Sequence, residues 1–173
     1  MKMKRVLIYL IVTIFYCSNI YAQSLTITDL TNLCSKKNWE EANKILQTKG
    51  WEYHESSTES GLSEIIWSFK KSYYDDKALG WFRLYTDNGF IDKVYAIEYT
   101  VHNQESYSVV QKSIETAGFK LKDSEIENNM LISTYENPTY LLIITTMKTT
   151  REDSKSSITT YIFELVKKTY LKL

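Results

Sequence analysis

Leu46-Gln47-Thr48-Lys49-Gly50-Trp51-Glu52-Tyr53 and Ile114-Glu115-Thr116-Ala117-Gly118-Phe119-Lys120-Leu121 carry one pattern twice, 68 positions apart. Each stretch ends an apolar-striped helix on a glycine and sets a large aromatic residue directly after it. Trp67 falls on Tyr135 at the same spacing. Val94-Tyr95-Ala96-Ile97-Glu98 falls on Thr160-Tyr161-Ile162-Phe163-Glu164 at a spacing of 66. The order and near-constant spacing of these matches predict an internal repeat.

Working outward, each unit opens with a helix. Asn38 is placed to cap the first, with Glu41 completing a capping-box pattern; Ala42, Ile45 and Leu46 form its stripe. Asn103 caps the second, with Tyr107, Val110, Ile114 and Ala117 on one face. A shorter helix over 27–36 precedes both, with Leu30, Leu33 and Cys34 inward. The strands expected in the first unit are 51–56, 64–71, 79–86 and 90–102; in the second, 120–124, 130–136, 139–149 and 158–168. These runs are rich in β-branched and aromatic residues. Asp87-Asn88-Gly89 and Asn137-Pro138 read as turns, and 151–157 as a polar loop.

A two-residue turn at Asn88-Gly89 would pair Leu84 with Lys93, Phe82 with Tyr95 and Gly80 with Ile97. Phe82, Leu84, Tyr95 and Ile97 then form a core face. Trp81, Arg83 and Tyr85 share the other face with Asp92, Val94, Ala96 and Glu98, because a one-residue slip would mix the two sets. The fold class expected is α+β: tandem helix-plus-four-strand antiparallel meanders, with the helices on one face of a curved sheet. The division is 1–22 export signal, 23–102 first unit and 103–173 second unit, the units forming one compact domain. This order of elements resembles the tandem-repeat fold of the beta-lactamase inhibitor proteins, and small secreted modules that bind protein partners.

The start of the chain has the three parts of a secretory signal: basic Lys2, Lys4 and Arg5, an apolar run from Val6 to Tyr16, and a more polar tail ending at Ala22. The run would cover about 16 Å as a helix, half of what a bilayer core requires. The expected location is secreted or periplasmic, with no stable membrane span after cleavage. Lipid attachment at Cys17 is the lesser alternative, since Phe15 and Tyr16 stand where small residues are preferred. Without Lys2, Lys4 and Arg5 the chain keeps 18 of its 21 basic residues against 21 acidic, net −3. That balance argues against a nucleic-acid partner. Cys34 is then the one remaining thiol, which excludes an internal disulfide.

Chemistry-bearing motifs are sparse. His54 and His102 belong to no HExxH or Cys/His cluster, so neither a metal nor a cofactor is expected. No glycine-rich phosphate loop occurs. Ser68 and Lys71 have a Ser-x-x-Lys spacing but sit in a strand and face opposite ways. Glu40-Glu41 and Asp75-Asp76 are acidic neighbours, read as a helix first turn and a solvated loop. The aromatic content is what remains, and all four tryptophans (39, 51, 67 and 81) lie in the first unit. Trp81 is the one expected on the open face, with Arg83 and Tyr85, residue types enriched at binding hot spots. The functional expectation is therefore an exported, non-catalytic binding module. It would take a protein partner, inhibitor-like, on Trp81, Arg83 and Tyr85, with Asp92 and Glu98 as rim acids. The alternatives are a glycan- or lipid-binding module of the cell envelope, a hydrolase with an unrecognised site, and a homodimer that buries the same face.

Overall fold

The computed structural model describes residues 24–73, 77–87, 93–150 and 157–171. The export segment with Cys17, the Asn88-Gly89 turn, Asp75-Asp76, Asp92 and residues 151–156 lie outside the described residues. The fold is α+β. Its elements run α1 (Ile27–Cys34), α2 (Trp39–Thr48), β1 (Trp51–Glu59), β2 (Leu62–Phe69), β3 (Gly80–Asp87), β4 (Lys93–Val101), α3 (Gln104–Ile114), β5 (Lys120–Glu127), β6 (Met130–Glu136), β7 (Tyr140–Thr150) and β8 (Ser157–Lys167). A 3₁₀ turn, Lys168–Tyr170, follows.

The helices start where their caps dictate. Asn38 accepts a hydrogen bond from the Glu41 amide at 3.1 Å, and Asn103 accepts one from the Ser106 amide at 2.7 Å. The reciprocal capping box forms elsewhere, at Thr26 and Asp29, each side chain bonding the other's backbone amide. Gly50 and Gly118 stop α2 and the turn after α3 with φ of +80° and +75°, a region that only glycine enters without strain.

The eight strands form one antiparallel sheet in the order β1-β2-β3-β4-β8-β7-β6-β5. The order is palindromic. Each half is a four-strand meander, and the last strands of the two meanders pair at the centre. Local irregularities also recur. A bulge in β1 falls between Tyr53 and Glu55, and one in β5 between Leu121 and Asp123. The β1–β2 turn has positive φ at Ser60 and Gly61, and the β5–β6 turn at Asn128 and Asn129. Two-residue turns of this hand match the twist of the flanking strands.

One face of the sheet packs against the helices. Trp51, Trp67, Phe82, Tyr99 and Phe163 are buried there beneath Leu30, Leu33, Cys34 and Leu46. Trp51 sits 5.5–6.3 Å, ring centre to ring centre, from Phe69, Phe82 and Tyr99. Its indole nitrogen has no hydrogen-bond partner among the described residues. That omission costs about 1–3 kcal/mol, while tilted ring contacts of this kind contribute about 0.5–1.5 kcal/mol each. Trp67 escapes the same cost by donating to Asn43 Oδ1 of α2 at 2.9 Å. The segment before α1 is tied to α3 by Ser24–Ser106 (3.1 Å) and by the Ile27 amide to Ser113 Oγ (3.1 Å).

The β3–β4 register differs from the expected one by four residues. Phe82 pairs with Tyr99, Leu84 with Ile97, Gly80 with Val101 and Arg83 with Glu98. An even shift preserves the faces, and this one matches large apolar partners on the core side and opposite charges on the other. Tyr95 is a correction. A register shift between Tyr85 and Thr86 leaves it unpaired in β4, so it turns to the helix-free face while Val94 enters the core.

Candidate functional site

On β3 the side chains alternate strictly. Phe82 and Leu84 are buried under the helices; Trp81, Arg83 and Tyr85 are half-buried on the side away from them. Glu98, expected as a rim acid, joins these three from β4. It lies in a central strand, opposite Arg83 on one side and Glu164 of β8 on the other.

Arg83 is held at both ends. Its Nε lies 3.3 Å from Glu64 Oε1 of β2, and its Nη1 donates to Glu98 Oε1. Thr100 Oγ1 donates to the same Glu98 oxygen at 3.0 Å. Glu164 faces Ile143 of β7 rather than a cation. Burial, and then the neighbouring Glu98 carboxylate, push its carboxyl above the ordinary glutamate range. Two carboxylates thus hold one guanidinium, and a third, Glu164, stands beside Glu98 on the next strand. Tyr85 stands beside them, and its phenol is pushed up by burial and by Glu98 and Glu64, so it remains a neutral O–H at physiological pH.

Two recesses flank this centre. Trp81 lines a cleft of about 560 Å³ with Lys77, Leu79, His102, Ile158 and Thr160. His102 Nδ1 is 3.1 Å from Thr160 Oγ1 across it. On the other flank the indole meets His54, the residue in the β1 bulge, with ring centres 5.2 Å apart. Farther along the face, Tyr85 and Tyr95 line a shallower recess of about 360 Å³ beside Leu62 and Glu64. Tyr95 also leans on Tyr170, ring centres 5.5 Å apart.

The structure therefore brings Trp81, Arg83, Tyr85 and Glu98 together on one face. Asp92 lies outside the described residues. Glu64, Glu164, Tyr95 and Tyr170 join the face without having been expected there. The 66-residue match aligns Glu164 with Glu98, but their contact follows only from the β4–β8 pairing. Tyr95 was hidden by the bulge, which reverses its side.

Cys34 contributes no nucleophile. It is buried, its Sγ is 4.0 Å from the Tyr95 and Leu165 carbonyl oxygens, and burial pushes the thiol up to about 12. Among the described residues, no three His, Cys, Asp or Glu side chains are grouped as metal ligands require. No helix among them is long and apolar enough to cross a membrane. Comparison of the chain with protein-family models, with curated proteins and with solved structures finds no match.

Proposed function

We propose that the chain is an exported, non-catalytic binding module that takes a protein partner on the helix-free face of its sheet. One observation carries this reading. Trp81, Tyr85 and Tyr95 stay half-exposed around a charged centre on the face that no described helix covers. Aromatic anchors beside a preorganised charge are what compact protein recognition uses. Glu64 and Glu98 against one arginine give the centre a negative excess, so the partner presents a basic side chain among apolar ones. Arg83 serves to hold Glu64 and Glu98 in place rather than to reach outward.

The test is capture by the mature chain from envelope and secreted extracts, with Trp81→Ala as the control. The expected result is unchanged folding and lost capture. Equal loss of stability and capture would overturn the reading by showing the indole to be a packing residue. A second reading draws on the cleft beside Trp81. Its volume and its mix of indole, aliphatic and hydroxyl side chains suit a small ligand such as a sugar ring. Binding of a glycan panel that survives Tyr85→Ala but not Trp81→Ala would favour that reading over a broad protein interface.

We read the two halves as a duplicated unit, in line with the tandem-repeat resemblance. The support is the recurrence at one spacing of the positive-φ glycines, the bulges and the positive-φ turns. Export rests on the sequence of residues 1–22.

A further inference from the structure

The two edges of the sheet, β1 and β5, differ in what they offer. All eight residues of β5 (Lys120-Leu121-Lys122-Asp123-Ser124-Glu125-Ile126-Glu127) are exposed. Leu121 and Ile126 are 59% and 79% exposed, and Leu131 behind them on β6 is 43% exposed. An edge strand carries a row of backbone groups with no partner in its own sheet. Here it also carries an uncovered apolar strip.

Laid antiparallel against a copy of itself, β5 can set Lys120 opposite Glu127, Leu121 opposite Ile126 and Lys122 opposite Glu125. In a regular strand, residues 121 and 126 would face opposite sides of the sheet. The bulge at Lys122 changes that. Leu121 pairs with Tyr135 and Ile126 with Leu131, positions four apart on β6 and hence on one face. Lys120 and Glu127 pair with Glu136 and Met130, which share the other face. Lys122 belongs there too, with its Nζ 3.7 Å from Glu136 Oε2. That bond leaves it available, because Lys168 holds the same oxygen at 2.8 Å. Counting the bulge, Lys122 and Asp123 lie together opposite Glu125 on that face, which leaves Ser124 opposite Ser124 of the second copy.

We propose that β5 is the edge along which two copies of this chain associate, with a two-fold axis beside Ser124. Both copies then turn their helices to the same side, and the Leu121–Ile126 pairs continue the helix-side face across the junction. Four Lys–Glu pairs fix the register on the other face. β1 has no such self-match. Its charged residues Glu52, Glu55 and Glu59 are all acidic, and α2 packs beside it.

The experiment uses two charge-reversed variants of the mature chain, Lys120→Glu/Lys122→Glu and Glu125→Lys/Glu127→Lys, each checked for folding by near-ultraviolet circular dichroism. In sedimentation velocity the natural chain should dimerise and each variant alone should be monomeric. An equimolar mixture of the two should recover dimer, and added salt should weaken it. If either variant misfolds, Ile126→Lys, on the other face, should also give monomer. A natural chain that is monomeric up to about 1 mM, where only the weakest associations are lost, would overturn the proposal. So would variants that remain dimeric, or open-ended oligomers, which would indicate β5-to-β1 pairing. Because β5 is the edge strand farther from β3, Trp81→Ala should leave the dimer intact.

Discussion

The first and second halves of the sheet follow one backbone plan under different cover. In the first, α2 lies against β1, and Trp67 is fully buried with its indole bonded to Asn43. In the second, α3 packs against α1 instead, and Tyr135, 68 positions after Trp67, stays half-buried. Every residue of β5 is exposed, and none of β6 is fully buried. Turns and bulges, set by a few local residues, recur in both halves. The helical layer, set by long-range packing, does not.

The largest expected effect separates the halves at their matched aromatic positions. Trp67→Ala should cost about 3–5 kcal/mol, and Tyr135→Ala about 1 kcal/mol. Urea denaturation measures both, and equal losses would mean that the second half is packed as tightly as the first.

The next concerns the charged centre, where Glu98 faces Arg83 but Glu164 faces Ile143. Arg83→Ala should cost about 1–3 kcal/mol at neutral pH. Glu164 has a raised folded-state pKa, so its favourable contribution is complete below its unfolded value and is lost as pH rises through the folded one. Glu164→Gln should therefore stabilise the protein at pH 7 by up to about 1 kcal/mol and have little effect near about pH 3. Denaturation midpoints at the two pH values test the sign.

Smaller still is the contrast between the helix-stopping glycines. Gly50→Ala and Gly118→Ala both force alanine into positive φ, at about 1 kcal/mol. A Cβ at position 50 would also lie 3.4 Å from the Phe69 ring, whereas position 118 is open. Because 3.4 Å is ordinary van der Waals contact, thermal melts should show the two variants destabilised to a similar degree. Least of all, Asn129→Gly should raise stability by a few tenths of a kcal/mol, because Asn129 has a φ of 63° where the first half has Gly61.

Most of the element order was legible because it is locally encoded. Asn38 and Asn103 announce two helices, Gly50 and Gly118 end them, and alternation on β3 puts Trp81, Arg83 and Tyr85 opposite Phe82. What escaped was non-local or irregular. The β3–β4 register follows Phe82–Tyr99 and Leu84–Ile97 pairing, four residues from the one expected. The Tyr95 bulge reverses one side chain, and no alternation pattern reports a bulge. The Glu98–Glu164 contact requires the two halves to meet, so it emerges only with the central β4–β8 pairing.

The buried thiol of Cys34, at the end of α1, has a practical consequence. Its sulfur is shielded and its proton tightly held, so an alkylating reagent reaches it only when α1 lifts from β4 and β8. Labelling of Cys34 against time is thus a built-in clock for opening at the seam between the halves, with no probe to engineer.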